Sequence, residues 1–383
     1  MRTLRICFCL ALVASLSFYS CSKDDKTLPT DNAVVNIAQV RQDVQKTMQE
    51  VEAIQGIRSL ETRSVAQFIV VPANSTNALA QAIQNAGEGG IVYLRTGLHT
   101  ETARLRINQR VVLIGEDGAI LKIKTMPKPV NANGTQSLEV AIHVANAPRT
   151  LIQNIDIQPI DANGGAAILL ENATESAVMN CTISKQQHGI LVEKSDRLTL
   201  MRNKITITSL WQTGEIADAH GIVIINGTSA YVADNTISNA LFGVWACDKY
   251  GTFERNTTTR NYIGLILCNV PASSYVLPSG TLTGSATPAT LWKTRNNTST
   301  DNLTAGYLVI DGANNNILEG NQAARNGTYD IELTGDSYRF GFLTPRSFNN
   351  RVVVQGNQKV KNCGVNNTVI GGNLVNNSID PCN

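Results

Sequence analysis

Neither sign of charge dominates this chain. Its 32 Lys and Arg face 30 Asp and Glu, with no block of basic residues. A nucleic-acid binder needs such a block to neutralise phosphates, so that class is set aside. Aromatic residues are scarce, at 5%, and only 11 of 383 residues are proline. The 29 glycines show no three-residue period, which excludes collagen. No CxxC pair and no Cys/His cluster has zinc spacing. Carboxylates are scattered, so neither a calcium site nor the paired acids of glycoside hydrolysis are predicted. No metal and no cofactor are expected. Disorder is excluded as well, because 43% of the residues are hydrophobic. What the chain has in excess is asparagine, at 38 residues. Asn tolerates left-handed backbone and bonds neighbouring peptide groups, so much of the chain must turn.

The N-terminus reads as an export unit over residues 1–20. Arg2 and Arg5 make a basic start, and Ile6 to Phe18 is an apolar run, short for a membrane span and suited to a signal core. Cleavage before Cys21 would leave 30 residues of each charge. Ser20-Cys21 after the apolar run resembles a bacterial lipobox, which implies that Cys21 is acylated. Ser22-Lys-Asp-Asp-Lys26 resembles the acidic export tag of Bacteroidetes surface lipoproteins. Those resemblances imply a lipid-anchored protein of the outer membrane, exposed at the cell surface. Residues 21–31 are a polar tether.

From residue 32 to 64 the pattern is helical. Val34, Ile37, Val40, Val44, Met48 and Val51 recur at helical spacing, with Asp31 or Asn32 as candidate cap. From residue 66 to 383 the pattern is that of short strands. Phe68–Val71 is the first, and Thr76–Ala86 is an amphipathic helix stopped by Gly87-Glu-Gly-Gly90. The strands after it lie too close together for intervening crossover helices. A repeat of about 22 residues then emerges, aligned on Gly189, Gly221, Gly243, Gly264 and Gly306. Positions one and three after each Gly are apolar (Ile190/Val192, Ile222/Ile224, Val244/Ala246, Leu265/Leu267, Tyr307/Val309), as a stacked core requires. Five after the Gly stand Lys194, Asn226, Asp248, Asn269 and Asp311, which read as a turn ladder. The second half of each unit carries Asn180, Asn203, Asn235, Asn256 and Asn321. The gap from Gly264 to Gly306 holds one unit with a long insertion, or two units. The physical reading is an all-β solenoid of parallel strands.

Ala82-Ile-Gln-Asn-Ala86, Gly90-Ile-Val-Tyr-Leu94 and Leu113-Ile-Gly-Glu116 resemble the N-terminal cap and first coils of pectate-lyase-like proteins. The later Gly-Ile and Asn-x-Ile repeats resemble the parallel β-helix repeat of carbohydrate-binding and sugar-hydrolysing modules. The resemblance implies a right-handed single-stranded parallel β-helix with an N-terminal capping helix, and a polysaccharide partner.

His188 and His220 both precede an aligned Gly, so in register they stack on adjacent turns, with Asp218 beside them. The string Asp218-Ala-His220-Gly resembles the Asp-Pro-His segment of β-helical mannuronan epimerases. Proton abstraction from a uronate suits a His base, and Lys194 or Lys249 could support the carboxylate. If catalytic, the pair should face solvent in a cleft walled by the insertion 209–219 or 271–300. The competing reading makes both His residues ladder positions that fill a turn. Trp211 and Trp292 lie in insertions and are candidate sugar platforms. Trp245 belongs to the outward row Leu191, Val223, Trp245, Ile266 and Leu308, too apolar for an open cleft. The 271–300 insertion or the helix of residues 32–60 should cover that row. Cys247 and Cys268 share a ladder position, which puts their Cα atoms about 5 Å apart, bonded or reduced. Cys363 and Cys382 are the next candidate pair. Two functions compete: a non-catalytic carbohydrate-binding lipoprotein, and a polysaccharide lyase or C5-epimerase acting on uronate-containing glycans.

Overall fold

The computed structural model describes residues 35–56, 67–131, 135–216, 218–268, 275–280, 283, 287–339 and 342–376. A coil is three short strands separated by turns. His220–Thr228, Tyr231–Ala233 and Thr236–Ser238 make one coil, and Phe242–Lys249, Thr252–Glu254 and Thr257–Thr259 make the next. Corresponding strands pair in parallel. On the first face Ile222, Val244, Leu265, Tyr307 and Ile331 stand in one continuous rung series. The second face is a 12-stranded sheet, and the first and third faces join into a 19-stranded one through strands such as Thr182–Glu193. The predicted all-β parallel solenoid is the observed architecture. Ile263 pairs with Ala305, so the long gap holds one unit and an insertion.

The glycine column marks where backbones touch. A Cβ on Gly189, Gly221, Gly243 or Gly264 would stand 2.4–2.5 Å from the carbonyl oxygen of the glycine on the next coil. Any side chain there would push two rungs apart. The apolar residues that follow fill the coil interior, and Ile190, Ile222, Val244 and Leu265 are at most 1% exposed.

Asparagine locks the second turn. Asn203, Asn235, Asn256, Asn297 and Asn321 are stacked and buried. The first four each donate the backbone N–H and the side-chain amide to the Oδ1 of the next Asn, at 2.8–3.1 Å. The amide also reaches a backbone carbonyl, as Asn256 does to Val232 at 2.9 Å. The residue before each is left-handed: Arg202, Asp234, Arg255, Asn296 and Gly320. Asn180 does not share the column. It is itself the left-handed residue, and Cys181 takes the ladder place, its N–H bonded to Asn203 Oδ1 at 3.0 Å. Shorter ladders run through Asn261, Asn302 and Asn326, and through Asn316, Asn350 and Asn367.

The N-terminal helix α1 spans Ile37–Gln55, and Asn36 caps it by accepting from Gln39 N at 3.1 Å. The predicted caps Asp31 and Asn32, with the tether and signal, lie outside the described residues. Among the described residues of the predicted stripe only Val44 and Val51 are buried, and Ile37 is 42% exposed. The helix lies on the second face, where Glu50 pairs with Arg202 and Gln55 donates to Thr199 Oγ1 at 3.1 Å. A second helix, α2 (Leu79–Ala86), buries Leu79, Ala82, Ile83 and Ala86 against the first coils, as a capping helix should.

The predicted turn ladder at Lys194, Asn226, Asp248 and Asp311 needs one correction. Lys194, Asn226 and Asp311 are left-handed, but Asp248 is not. It lies inside the strand Phe242–Lys249 and is fully buried. Neither carboxyl oxygen has a hydrogen-bond partner among the described residues. Burial pushes its pKa well above the usual carboxylate range, against a smaller downward pull from the Trp292 indole and with a still smaller push from the charge of Asp196. Asn269 lies outside the described residues.

Two stability measurements follow from this geometry. Asn256→Ala strands several buried polar groups, each worth about 1–3 kcal/mol. It should lower unfolding free energy in urea by about 3 kcal/mol, whereas alanine at exposed Asn85 should change it little. Asp248 binds a proton on folding at any pH between its unfolded and folded pKa values, so its contribution worsens as pH rises above about 4. Asp248→Asn should therefore raise the urea midpoint at pH 7, and that gain should shrink at pH 4.

Candidate functional site

Alternation along the first face sends every second side chain outward. That outward row is apolar, and the fold gives it a second core outside the coil. Leu191, Val223, Ile266 and Leu308 pack there with Tyr275 and Leu277, and Trp245 rests against them. The cover comes from the 271–300 insertion: Tyr275–Val276 pairs in parallel with Gln136–Ser137. Helix α1 does not contribute, since it sits on the second face.

His188 and His220 belong to this outer core. They are rung partners, their ring centroids are 5.4 Å apart, and both are fully buried. His220 stacks on Phe242 at 4.9 Å and meets the edge of Trp245. Asp218 pairs with His220 Nε2 and accepts from the Tyr275 hydroxyl at 3.1 Å. Gln187 donates to the Asp218 carbonyl at 2.8 Å. His188 Nε2 bonds Gln136 Oε1 at 3.0 Å. Burial lowers the His188 pKa to about 3; Asp218 pulls it up and His220 pushes it further down. For Asp218 burial raises the pKa, but His220, His188 and Tyr275 outweigh it and leave the value at about 2. Tyr275 is held well above the ordinary phenol by burial and by Asp218.

The three residues meet, but not in the predicted solvent-facing cleft. Tyr275 and its segment close over them, and a substrate C5 proton has no path to either imidazole. At neutral pH the cluster holds a neutral His188 imidazole and an ionised Asp218 carboxylate, sealed by aromatic rings.

The other predicted site residues are elsewhere. Lys194 is exposed and Lys249 half-buried. Both lie six or seven residues along the strands from the His rung, roughly 20 Å away. Trp292 is not a sugar platform. It is fully buried in the coil, donates to the Asp248 carbonyl at 3.2 Å, and occupies the space that a side chain on Gly251 would need. Trp211 is half-buried, donates to the Asn239 carbonyl at 2.7 Å, and sits edge-on to Tyr262 at 6.4 Å. Cys247 and Cys268 are bonded, with Cα atoms 5.0 Å apart. Cys363 is disulfide-bonded, and Cys382 lies outside the described residues. Cys181 is a free thiol, buried and pushed up to about 12 by burial, which makes it unreactive at neutral pH. Cys21 lies outside the described residues.

Sequence reasoning missed two groups. Under the same cover His143 Nε2 bonds Glu171 at 2.8 Å, Ser279 donates to Glu171 at 2.7 Å, and Asn226 donates to Glu193 at 3.0 Å. On the third face a partly exposed hydroxyl surface runs across the coils, with Ser238 buried within it. Thr206, Ser238, Thr259 and Thr300 stand in register, beside Thr236, Thr257 and Thr298. The residues between them, Ile205, Ile237, Thr258 and Ser299, point inward and are buried. The alternating Thr-x-Thr spelling was the available signal. Trp211 and Tyr262 stand at the turn that follows this face, and Tyr262 is 36% exposed.

The model of the family described as periplasmic copper-binding protein (NosD) matches residues 100–276, less than half of the chain. No curated protein matches. The A-module of the Azotobacter vinelandii mannuronan C-5 epimerase is similar in structure at a TM-score of 0.53 and 12% identity, over 82% of this chain and 93% of that one. The tailspike of E. coli bacteriophage HK620, solved with a pentasaccharide, is similar at a TM-score of 0.50 and 12% identity, over 86% of this chain and 63% of that one. The fold is a right-handed parallel β-helix.

The buried cluster makes acid stability a readout. His188 has a folded pKa below its unfolded one, so it contributes stability above pH 6.5 and loses it as pH falls toward 3. The melting temperature should therefore drop between pH 7 and pH 4. His188→Gln, which has no proton to gain, should flatten part of that drop.

Proposed function

We propose that this protein is a lipid-anchored polysaccharide-binding β-helix, displayed at the surface of the outer membrane through acylated Cys21, with the solenoid acting as scaffold and not as catalyst. The observation that carries the non-catalytic reading is the complete burial of His188 and His220 beneath Tyr275. The lyase or epimerase alternative requires those imidazoles to touch a uronate, and they do not reach solvent.

The third face supports glycan contact. Its hydroxyl rows repeat at the rung spacing of about 4.8 Å, the Trp211–Tyr262 pair flanks them, and aromatic rings suit the apolar face of a pyranose. The two structural neighbours are an epimerase named for mannuronan and a tailspike solved with a pentasaccharide, which agrees with a polysaccharide partner. Copper is a different matter. Imidazole and sulfur donors would have to converge, and among the described residues no group of three His, Cys, Asp or Glu does so. The residues do not fit that metal, and no role is built on it. Among the described residues no helix is long and apolar enough to cross a membrane; the anchor in this reading is Cys21.

Retention on a panel of insoluble and immobilised polysaccharides tests the reading, with absorbance of unsaturated products followed in parallel. Binding without product release is expected, and Tyr262→Ala with Trp211→Ala should weaken retention several-fold. Turnover abolished by His220→Ala would establish the lyase reading instead. Cys21→Ala should release the protein from membranes into the soluble fraction.

A further inference from the structure

The core columns of the solenoid run out before they are closed. Val352 and Val360 are fully buried, yet their partners on the next rung are not: Val369 is half-buried and Leu374 is 38% exposed. Beside them Ile370 is 44% exposed and Val375 52%. Thr368–Ile370 pairs with Arg351–Val353, and Asn373–Asn376 with Lys359–Asn362; among the described residues neither meets a further strand. The opposite end differs, because α2 closes it with Leu79, Ala82, Ile83 and Ala86. A stacked solenoid needs a cap with a polar outer face at each end, and an open end with free strand edges is a template for another chain.

The residues that follow have the chemistry of such a cap. Asn377-Ser-Ile-Asp-Pro-Cys-Asn383 carries one large apolar residue, Ile379, among polar ones. Pro381 has no N–H, so it cannot continue a ladder.

Cys363 supplies the fastening. It is buried and disulfide-bonded. Cys247 holds Cys268, and Cys181 is free. Cys7, Cys9 and Cys21 precede α1, whose Arg41 lies over Phe68 on the first strand, at the other end of the solenoid. Cys382 is the near one. Asn376 stands opposite Lys361, two residues from Cys363. The way from Asn376 to Cys363, one rung across and two residues along, is roughly 8 Å. Six residues of chain, from Asn376 to Cys382, can span roughly 20 Å. That slack lets the segment cross the end of the coil and return.

We propose that residues 377–383 form a covalent plug over the end of the solenoid, with Cys382 bonded to Cys363 and Ile379 laid on Val369 and Leu374. The plug keeps a second copy of the chain from stacking end to end on the free edges of Thr368–Ile370 and Asn373–Asn376. It is independent of the glycan reading.

Two measurements test it, both on Cys21→Ala protein so that lipid does not drive association. The first is mass spectrometry of the unreduced chain, digested with a protease that cuts before Asp380. The Asp380–Asn383 peptide should be joined to the one that holds Cys363; Cys363 joined to any other cysteine would overturn the plug. The second is light scattering across a concentration series. The intact chain should be monomeric, whereas Cys382→Ser and a chain cut short after Asn376 should form dimers or larger species and melt several degrees lower. Ile370→Lys with Val375→Lys should return the shortened chain to monomer. A shortened chain that stays monomeric with an unchanged melting temperature would overturn the inference. So would an intact chain that associates and is made monomeric by Val375→Lys, because that end would then be an interface between copies. The peptide link is read on protein with the end intact, so it decides the fastening even if a shortened chain fails to fold.

Discussion

The asparagine column of the second turn is the interaction on which the rest depends. Each Asn inside the stack gives and receives along it, so none of those coils can shift without breaking bonds to both neighbours. That stacking holds the rungs in register, and register decides everything else: which residues meet in the core, which glycines touch carbonyls, and which outward rows form. Where a turn has no ladder, the chain can lengthen. The insertion around 209–216 precedes the ladder that begins at Asn261, and the insertion after Cys268 precedes the one that begins at Asn316. Insertions fall at turns the asparagines have not yet locked.

Those insertions then change the meaning of the first face. An apolar outward row facing water would be an aggregation surface, and roughly 25 cal/mol is gained per Å² of apolar area covered. Tyr275 and Leu277 provide the cover, with Leu138 from the 135–138 segment. The same cover seals His188, His220 and Asp218. Their chemistry becomes structural: a carboxylate bonded to a tyrosine, an imidazole stacked on a phenylalanine, and another imidazole held neutral. The face left for a partner is the one that was never apolar, the threonine rows of the third.

Helix α1 extends the same logic to the second face. Only two of its residues are deeply buried, and the remaining contact is polar, through Glu50–Arg202 and Gln55–Thr199. An element held so lightly along one edge leaves a gap at the other, lined by Asp43, Asn154 and Asn180.

Much of this was legible in the residues alone. A repeat near 22, apolar residues one and three after each Gly, and Asn at every second turn leave few folds that bury the core and satisfy the backbone. The pairing of His188 with His220 and of Cys247 with Cys268 followed from counting, because a parallel stack turns sequence position directly into neighbourhood. Asn180 was misplaced by one because Cys181 holds its ladder place through backbone alone, and a backbone bond leaves no mark on residue type. Trp292 was read as a sugar platform and Asp248 as a turn residue because nothing local distinguishes a buried position from an exposed one. Whether the histidines reach solvent was not written near them at all. It depends on Tyr275 and Gln136, 52 or more residues from His188 or His220, brought over them by pairing between two loops. The sequence by itself determined the coil and its contacts between adjacent rungs, since those are periodic. Only the tertiary structure decided which face is open, because covering a face is a matter of where aperiodic segments fold back.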